Sequence, residues 1–578
     1  MPNGIHGVHV VTTSRCYKGK TYRSHLLRRS YREGGKVKKE TVANLTKLGD
    51  EIVEVIRQAL KGEKLVPVDQ LFEKLSSKHH GHVDVVLKTI KRLGLDKIIS
   101  AKRCRERDII VAAIVARICE PDSKLAMTRW WDDTTLPELL DLEGVDEDDI
   151  YKAMDWLLAR QKRIEKKLAK RHLADGDMVL YDLTSSYFEG VTCPLARIGK
   201  SRDRKRNTLQ VNYGLVSTKE GCPVSVSAYE GNTGDPTTLM EQAQKVRDDF
   251  GVGEMVLVGD RGMITQKQID ELRETGGFDW ITAMKTGGIR KLVEGGALQL
   301  DLFDERNIFE FAHPDYPGER LVACRNPVLA RKRAHKRESM LEATQRELDK
   351  VRGMVERGSL KGQDDIGVRV GKVVDKYKMA KHVVLDIEDD SFGFEFDESS
   401  VAAEAALDGI YVVRTSLPKK RMSAAEAVRS YKNLTDVERA FKSLKSIDLM
   451  VRPIRHRTED RVRSHLFLSM LTYYVQRYMT EALRPLLFAD EDQEAKSTRD
   501  PVAPAKRSKD ALKKVHSKKL DDGTPAHSFK TLLHHMSTIT RDLCVQKIAG
   551  AHDNTFSVDT KPNAKQQQVY DLLAEITV

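Results

Sequence analysis

The chain of 578 residues has only seven cysteines (Cys16, Cys104, Cys119, Cys193, Cys222, Cys324 and Cys544) and no C-x-x-C pair. That spacing argues against a structural zinc site and against a disulfide framework, and it fits reduced thiols in a cytosolic protein. No run of about 18 apolar residues occurs, so no membrane span is expected. The opening MPNGIHGVHVVTT lacks the charged, apolar and cleavage regions of a signal peptide. Aromatic residues are scarce at 6%, with tryptophan only at positions 130, 131, 156 and 280. No internal repeat is visible. What is present is charge: 98 lysines and arginines against 86 aspartates and glutamates, a net +12. Such an excess favours a polyanionic partner, because neutralised phosphates release counterions, though composition alone does not establish one. The length predicts several domains, since single cores seldom grow beyond about 250–300 residues.

Hydrophobic periodicity divides the chain. Residues 1–75 read as a basic, β-containing region, with two strand-like runs hinged at Gly34-Gly35. Residues 76–175 turn helical, and nothing in their spacing separates a helix-turn-helix from a plain bundle. Residues 176–290 are the most legible. MVLYDLTSSYF is an apolar run ending on a carboxylate. LQVNYGLVS and PVSVSAYEG flank a turn at Lys219-Glu220-Gly221, TTLMEQAQKVRDDFG is an amphipathic helix, EMVLVGDRG is a second strand ending on a carboxylate, and a helix and FDWITAMK follow. This is the element order of a ribonuclease H-like α/β core. Residues 291–408 read as a β-rich insertion with short strands and one long charged helix. The core resumes over 409–486 with DGIYVVRTS and helices from Ser423 onward. Residues 487–530 are expected to be a charged linker and 531–578 a helical tail. The histidine pairs His79-His80 and His534-His535 read as surface residues.

Asp182 and Asp260 each close a buried apolar run, an unusual place for a carboxylate because an unpaired buried charge is costly. Either alone would pass for a strand-terminal turn residue. On adjacent strands they would instead converge, as two-metal phosphoryl transfer requires. Glu438 has two readings. With Thr435 it makes a capping box, and Ser423 with Glu426 makes another, so two helices should break near Leu434. Alternatively Glu438, Lys442 and Lys445 share one face beside a buried stripe of Val437, Phe441 and Leu444, with Tyr431 seven residues earlier. The plain alternative for Lys445 is a solvated lysine. Arg261 could touch a phosphate or pair with the carboxylates. The run RPIRHRTEDRVRSH, with Arg455, Arg457 and Arg461, could track a DNA backbone or form a solvated face paired with Glu459 and Asp460.

These residues sit in stretches that resemble transposases of the IS4-like superfamily, closest to the IS1634 group. The stretches are YDLTSSYFEG, YEGNTGDPTTL, VGDRGM, DGIYVVRTS and YKNLTDVERAFKSLK. The last fits Y-x2-R-x3-E-x6-K at Tyr431, Glu438 and Lys445, with Leu434 at the arginine position and Lys432 as a substitute charge. The resemblance covers roughly 176–480 and implies a DDE transposase that works in a dimer on double-stranded DNA, binding terminal inverted repeats and a target. It implies two Mg²⁺ held by Asp182, Asp260 and Glu438, with Mn²⁺ able to substitute, and cut-and-paste excision through a hairpin. DNA contacts are expected from Tyr431, Lys445, Lys442, Arg261, Lys432, Arg455, Arg457 and Arg461, in a bacterial cytoplasm at the nucleoid. Some such relatives stack a flipped base on an insertion tryptophan. Here Phe309, Phe311 or Tyr316 would have to serve, unless they are core residues. The basic N-terminal region, with Arg28, Arg29, Lys38 and Lys39, is the candidate for recognising the terminal repeat. Two other readings remain: a ribonuclease H-fold nuclease without strand transfer, and a domesticated DNA-binding protein without catalysis.

Overall fold

A computed structural model describes residues 7–63, 72–203, 205, 207–305, 307–489, 500–502, 507–546 and 555–578. They fall into two units, one of residues 1–78 and 540–560 and one of residues 79–539 and 561–578.

In the first unit, β1 (Val8–Tyr17), β2 (Lys20–Glu33) and β3 (Lys36–Asn44) form an antiparallel sheet. Gly34 and Gly35 have φ of 59° and 80°, a turn geometry that side chains disfavour, and they hinge β2 onto β3. The helix α1 (Asp50–Leu60) follows. β4 (Phe72–His79) belongs to a second sheet with two strands from the far end of the chain.

In the second unit, seven helices come first: α2 (Gly81–Arg92), α3 (Leu95–Ile99), α4 (Arg105–Cys119), α5 (Lys124–Asp132), α6 (Leu136–Leu140), α7 (Glu147–Leu158) and α8 (Gln161–His172). The central sheet then begins with β5 (Met178–Tyr187), β6 (Arg197–Ile198), β7 (Leu209–Thr218) and β8 (Pro223–Glu230). Next come α9 (Asp235–Gln244), β9 (Met255–Val258), α10 (Gln266–Thr275) and β10 (Phe278–Ala283). Two helices, α11 (Thr286–Glu294) and α12 (Leu302–Glu305), lead to β11 (Ile308–Phe311) and β12 (Arg320–Arg325). After an excursion, β15 (Ile410–Thr415) completes a nine-stranded mixed sheet ordered β11-β12-β15-β10-β9-β5-β7-β6, with β8 also on β7.

The sheet has a helical layer on each side, and strand alternation sorts its side chains. Val179, Tyr181 and Leu183 pack with Leu239 and Ala243 of α9 and Ile269 and Leu272 of α10. Leu180, Val256 and Val258 face the other way. They join the core of α2–α8 and of three later helices, α16 (Ala424–Lys432), α17 (Leu434–Lys442) and α18 (Glu459–Ala482). No helix among the described residues is long and apolar enough to cross a membrane.

Four expectations need correcting. Asp182 does not end its strand: β5 continues to Tyr187 because β7 pairs with it throughout. The interval 291–408 is mainly helical, with α13 (Pro327–Glu356) of 30 residues, α14 (Gln363–Tyr377) of 15 and α15 (Glu398–Ala405). Its strands β11 and β12 belong to the central sheet, and among the described residues only β13 (Val383–Ile387) and β14 (Phe392–Phe396) pair apart. The expected linker includes a helix at Lys509–Ser517, while residues 490–499 and 503–506 lie outside the described residues. The expected helical tail contains β16 (Thr540–Gln546) and β17 (Thr555–Asp559), which sheet with β4. A lesser correction concerns His80, which is buried with Nδ1 2.9 Å from Thr135 Oγ1.

Candidate active site

β5 and β9 run parallel, in a register that pairs Met178 with Val256 and Leu180 with Val258. The pairing ends there, two residues before Asp182 and two before Asp260, so both carboxylates follow the same end of the paired stretch. Alternation also turns Asp182 to the side of Leu180, and so towards the helices α16, α17 and α18. β9 stops at Val258, so Asp260 lies in the turn beyond it. There the amides of Gly262 and Met263 donate to Asp260 Oδ1 at 2.8 and 2.7 Å. A side chain at position 262 would begin 3.3 Å from Asp260 Oδ1, so this turn depends on glycine for the close approach. Asp182 Oδ1 takes the amide of Leu183 at 2.8 Å.

The third carboxylate comes from α17, whose Val437, Ala440 and Phe441 are buried and whose Phe441 ring meets Tyr213 of β7 edge-on at 5.9 Å. Glu438 is exposed on the flank of that buried stripe. The two readings of Glu438 now separate. α16 has its capping box at Ser423 and Glu426, and the helices do break at Asn433. At the start of α17, however, Thr435 Oγ1 donates back to the Lys432 carbonyl at 2.9 Å, and no side chain caps the helix. Glu438 is therefore free of a capping role.

Electrostatics show which groups face each other. Burial pushes the Asp182 carboxyl up to about 7, the Leu183 amide opposes this, Asp260 and Glu438 raise it further, and Arg202 opposes. Burial likewise lifts the Tyr431 phenol to about 12, with Asp260, Glu438 and Asp182 adding to the rise and Arg261 opposing it. Asp182, Asp260, Glu438, Tyr431 and Arg261 thus form one neighbourhood. Among the described residues, no three His, Cys, Asp or Glu side chains close around a point as a finished metal cage. The donor chemistry nonetheless fits a divalent cation: three carboxyl groups lie in one neighbourhood, and the Oδ2 atoms of both aspartates and the Glu438 carboxylate accept no hydrogen bond among the described residues.

Lys445 departs from the expected alignment. After Lys442 the helix widens into a π turn over Ser443–Ile447, which carries Lys445 inward. Lys445 is only 8% exposed, and it donates to Asp203 Oδ1 at 3.1 Å. Asp203 also takes Arg452 and, at 3.1 Å, the Tyr187 amide. The solvated-lysine alternative is excluded. Burial lowers the Lys445 ammonium and Asp203 opposes that. Arg202, beside Asp203, donates its amide to Ser185 Oγ of β5 at 3.0 Å and its guanidinium to Asp235. Sequence reasoning missed Arg202 and Asp203. Their only signal was one acid inside the basic string Ser201–Arg206.

The other expected contacts are scattered. Lys432 and Lys442 line a groove of about 790 Å³ together with Arg429, Arg439 and Arg477. Arg455 is exposed, 2.9 Å from Glu189, and Arg457 is exposed. Arg461 turns into the helical layer, 2.9 Å from Asp155 and over the Tyr151 ring. Phe309, Phe311 and Tyr316 pack against a small core of Leu321, Ala323 and Val412.

Comparison with known proteins adds the following. Residues 192–475 match the family model described as a transposase DDE domain, a match that begins beyond Asp182. Residues 10–67 match the model of an IS1634 family transposase N-terminal domain. No curated protein matches the chain. Among solved structures, a piggyBac transposase synaptic complex with hairpin DNA is similar at 9% identity and a TM-score of 0.33, over 79% of this chain and 77% of that one.

Proposed function

The chain belongs to the IS1634 family of DDE transposases, and from that premise we propose that Asp182, Asp260 and Glu438 are the carboxylates at which this DNA transposase cuts and joins its element. The observation that carries the reading is that Asp182 and Asp260 each follow by two residues the last parallel pair, Leu180 with Val258, with Asp260 and Glu438 near enough to raise the Asp182 carboxyl. The order β5, β7, β8, α9, β9, α10, β10 supports a ribonuclease H-like core.

Two Mg²⁺, or Mn²⁺ in their place, would supply activation of the attacking oxygen and stabilisation of the leaving one. The chain's own contribution is position. The Gly262 and Met263 amides fix Asp260, β5 fixes Asp182, and the packing of Phe441 on Tyr213 sets α17 and hence Glu438. Tyr431 and the exposed Arg261 hold the scissile phosphate. Lys445 acts through Asp203 on the segment that carries it, as a positioning residue. Water and then a DNA 3′-OH are the successive nucleophiles, with no covalent protein–DNA intermediate. Excision through a hairpin, a homodimer on two element ends, and terminal-repeat recognition by the basic N-terminal region complete the proposal.

The test uses pre-cleaved element ends, a target plasmid and Mg²⁺. Joined product is expected from the wild-type protein and none from Asp182→Ala or Asp260→Ala. Cleavage without joining would favour a nuclease, and joining unaffected by both substitutions would remove the carboxylates from the chemistry.

A further inference from the structure

The sheet of β1, β2 and β3 has two faces, and its register assigns each side chain to one of them. On the first face Thr12 and His25 stand opposite each other and meet α1. Arg57 of α1 donates to Thr12 Oγ1 at 3.1 Å, and His25 Nε2 lies 2.8 Å from Asp50. The cations on this side stand among acids. Lys38 is 2.5 Å from Glu33, Arg23 is 3.6 Å from Asp50, and Arg29 has Glu40 as its cross-strand neighbour.

The second face has the opposite parity and a different composition. It carries Arg15, Lys20, Arg28, Arg32 and Lys39. The bulge opposite Leu27 and Arg28 takes up Val42 in β3 and keeps the alternation of β2 intact. No Asp or Glu of the three strands lies on this face. Among the described residues no ion pair holds any of the five cations, and Arg28 Nε is buried without a hydrogen-bond partner. Tyr17 and Tyr22 stand on the same face, 57% and 56% exposed. From Lys20 to Arg32 the face runs about 40 Å at the rise of a strand, ~3.3 Å per residue.

We propose that this second face is the surface on which the N-terminal unit grips duplex DNA, a proposal that rests on the transposase reading above. Unpaired cations without an acid among them suit a polyanion. Their spread over a length comparable with one helical turn, about 34–36 Å, suits phosphates on both sides of a groove. A major groove admits a β-ribbon, where Tyr17 and Tyr22 would meet base edges and sugars with an apolar body and a polar tip. The face splits the earlier candidates: Arg28 and Lys39 belong to the DNA side, Arg29 and Lys38 to the α1 side.

The test is fluorescence anisotropy of the full chain with a labelled duplex, over a salt series in chelator so that no cleavage occurs. Each lost phosphate contact flattens the slope of log K against log salt by about 0.9. Arg15→Ala with Arg32→Ala should flatten it by about 1.8, and Arg29→Ala with Lys38→Ala should leave it unchanged. The charge-keeping pair Arg15→Lys and Arg32→Lys, expected to retain the slope, controls for folding. Equal flattening by both alanine pairs, no flattening by the first, or tighter binding of single strands than of duplex overturns the proposal. Asp182→Asn should keep the wild-type salt slope in this assay and, in a separate assay with Mg²⁺ in place of chelator, fail to cleave. A failure of the catalytic reading would therefore appear in cleavage alone, and a failure of the sheet proposal in the salt slope alone.

Discussion

Lys445 donates its ammonium to Asp203 at 3.1 Å, and both side chains are almost wholly buried. The pair ties the π turn at the end of α17 to the loop that follows β6, and Arg452 reaches the same carboxylate. Removing the acid leaves two cations facing each other without an anion.

Asp203→Asn should therefore destabilise the second unit by about 3–5 kcal/mol, the usual cost of breaking one side of a buried pair. Adding Lys445→Met should recover at least about 1 kcal/mol, since the two sites share one contact. Urea denaturation of the four proteins in the cycle measures both. Strictly additive losses would show that the pair does not interact.

Asp182→Asn, Asp260→Asn and Glu438→Gln keep shape and remove charge. Each should lower the rate of cleavage about a thousandfold or more, ~4 kcal/mol of lost transition-state stabilisation, with melting temperature unchanged or raised. Single-turnover cleavage of an end duplex in Mg²⁺ reads this. Activity of Glu438→Gln near the wild-type level would remove α17 from the chemistry.

Gly262→Ala tests the turn that orients Asp260. Its new methyl would begin 3.3 Å from Asp260 Oδ1, where the carboxylate takes two backbone amides. Displacing a carboxylate proposed to bind metal, without removing it, should cost about 10–100-fold in cleavage, comparable with the loss of an outer-shell partner. Circular dichroism should stay native. Unchanged cleavage would mean the turn has slack.

Acid should weaken the second unit through His82. Burial, aided by the neighbouring imidazoles of His79, His80 and His534, holds this imidazole down at about 3. The folded form is thus the neutral one, while the unfolded chain takes up its proton near the ordinary 6.5. The stability from neutral His82 is complete above pH 6.5 and drains away as pH falls towards 3, at about 1.4 kcal/mol per pH unit. Between pH 6.5 and about pH 5 the loss should be about 2 kcal/mol, visible as a drop in melting temperature that His82→Gln reduces. Equal drops in both proteins would refute the assignment.

Much of this was legible in the sequence because it rests on local pattern. The strands β5, β7, β8, β9 and β10 are apolar runs bounded by turn residues, and Asp182 and Asp260 stand out as charges against them. The hinge at Gly34-Gly35 is written in the residues themselves. Glu438 was ambiguous because a capping box and a ligand share one pattern, and only the bond from Thr435 to Lys432 separates them. Lys445 was misread because a π turn is set by packing rather than by periodicity, and the turn moves every later residue to another face. Asp203 was invisible because a polar loop has no period, and its partners lie more than 200 residues away. β16 and β17 were missed for a related reason: both are short, β16 is half-buried and β17 exposed, and the strand that completes their sheet, β4, comes from the opposite end of the chain.

The unequal lengths of β5 and β9 give the site its architecture. β9 ends two residues short of Asp260 while β5 runs on five beyond Asp182, so the sheet is cut back beside the carboxylates like a ledge. A ledge admits a long polymer laid along it and does little to enclose a small molecule. On the proposed reading such a site would suit any phosphodiester that can lie in it, and choosing which stretch of DNA arrives there would fall to surfaces elsewhere in the chain.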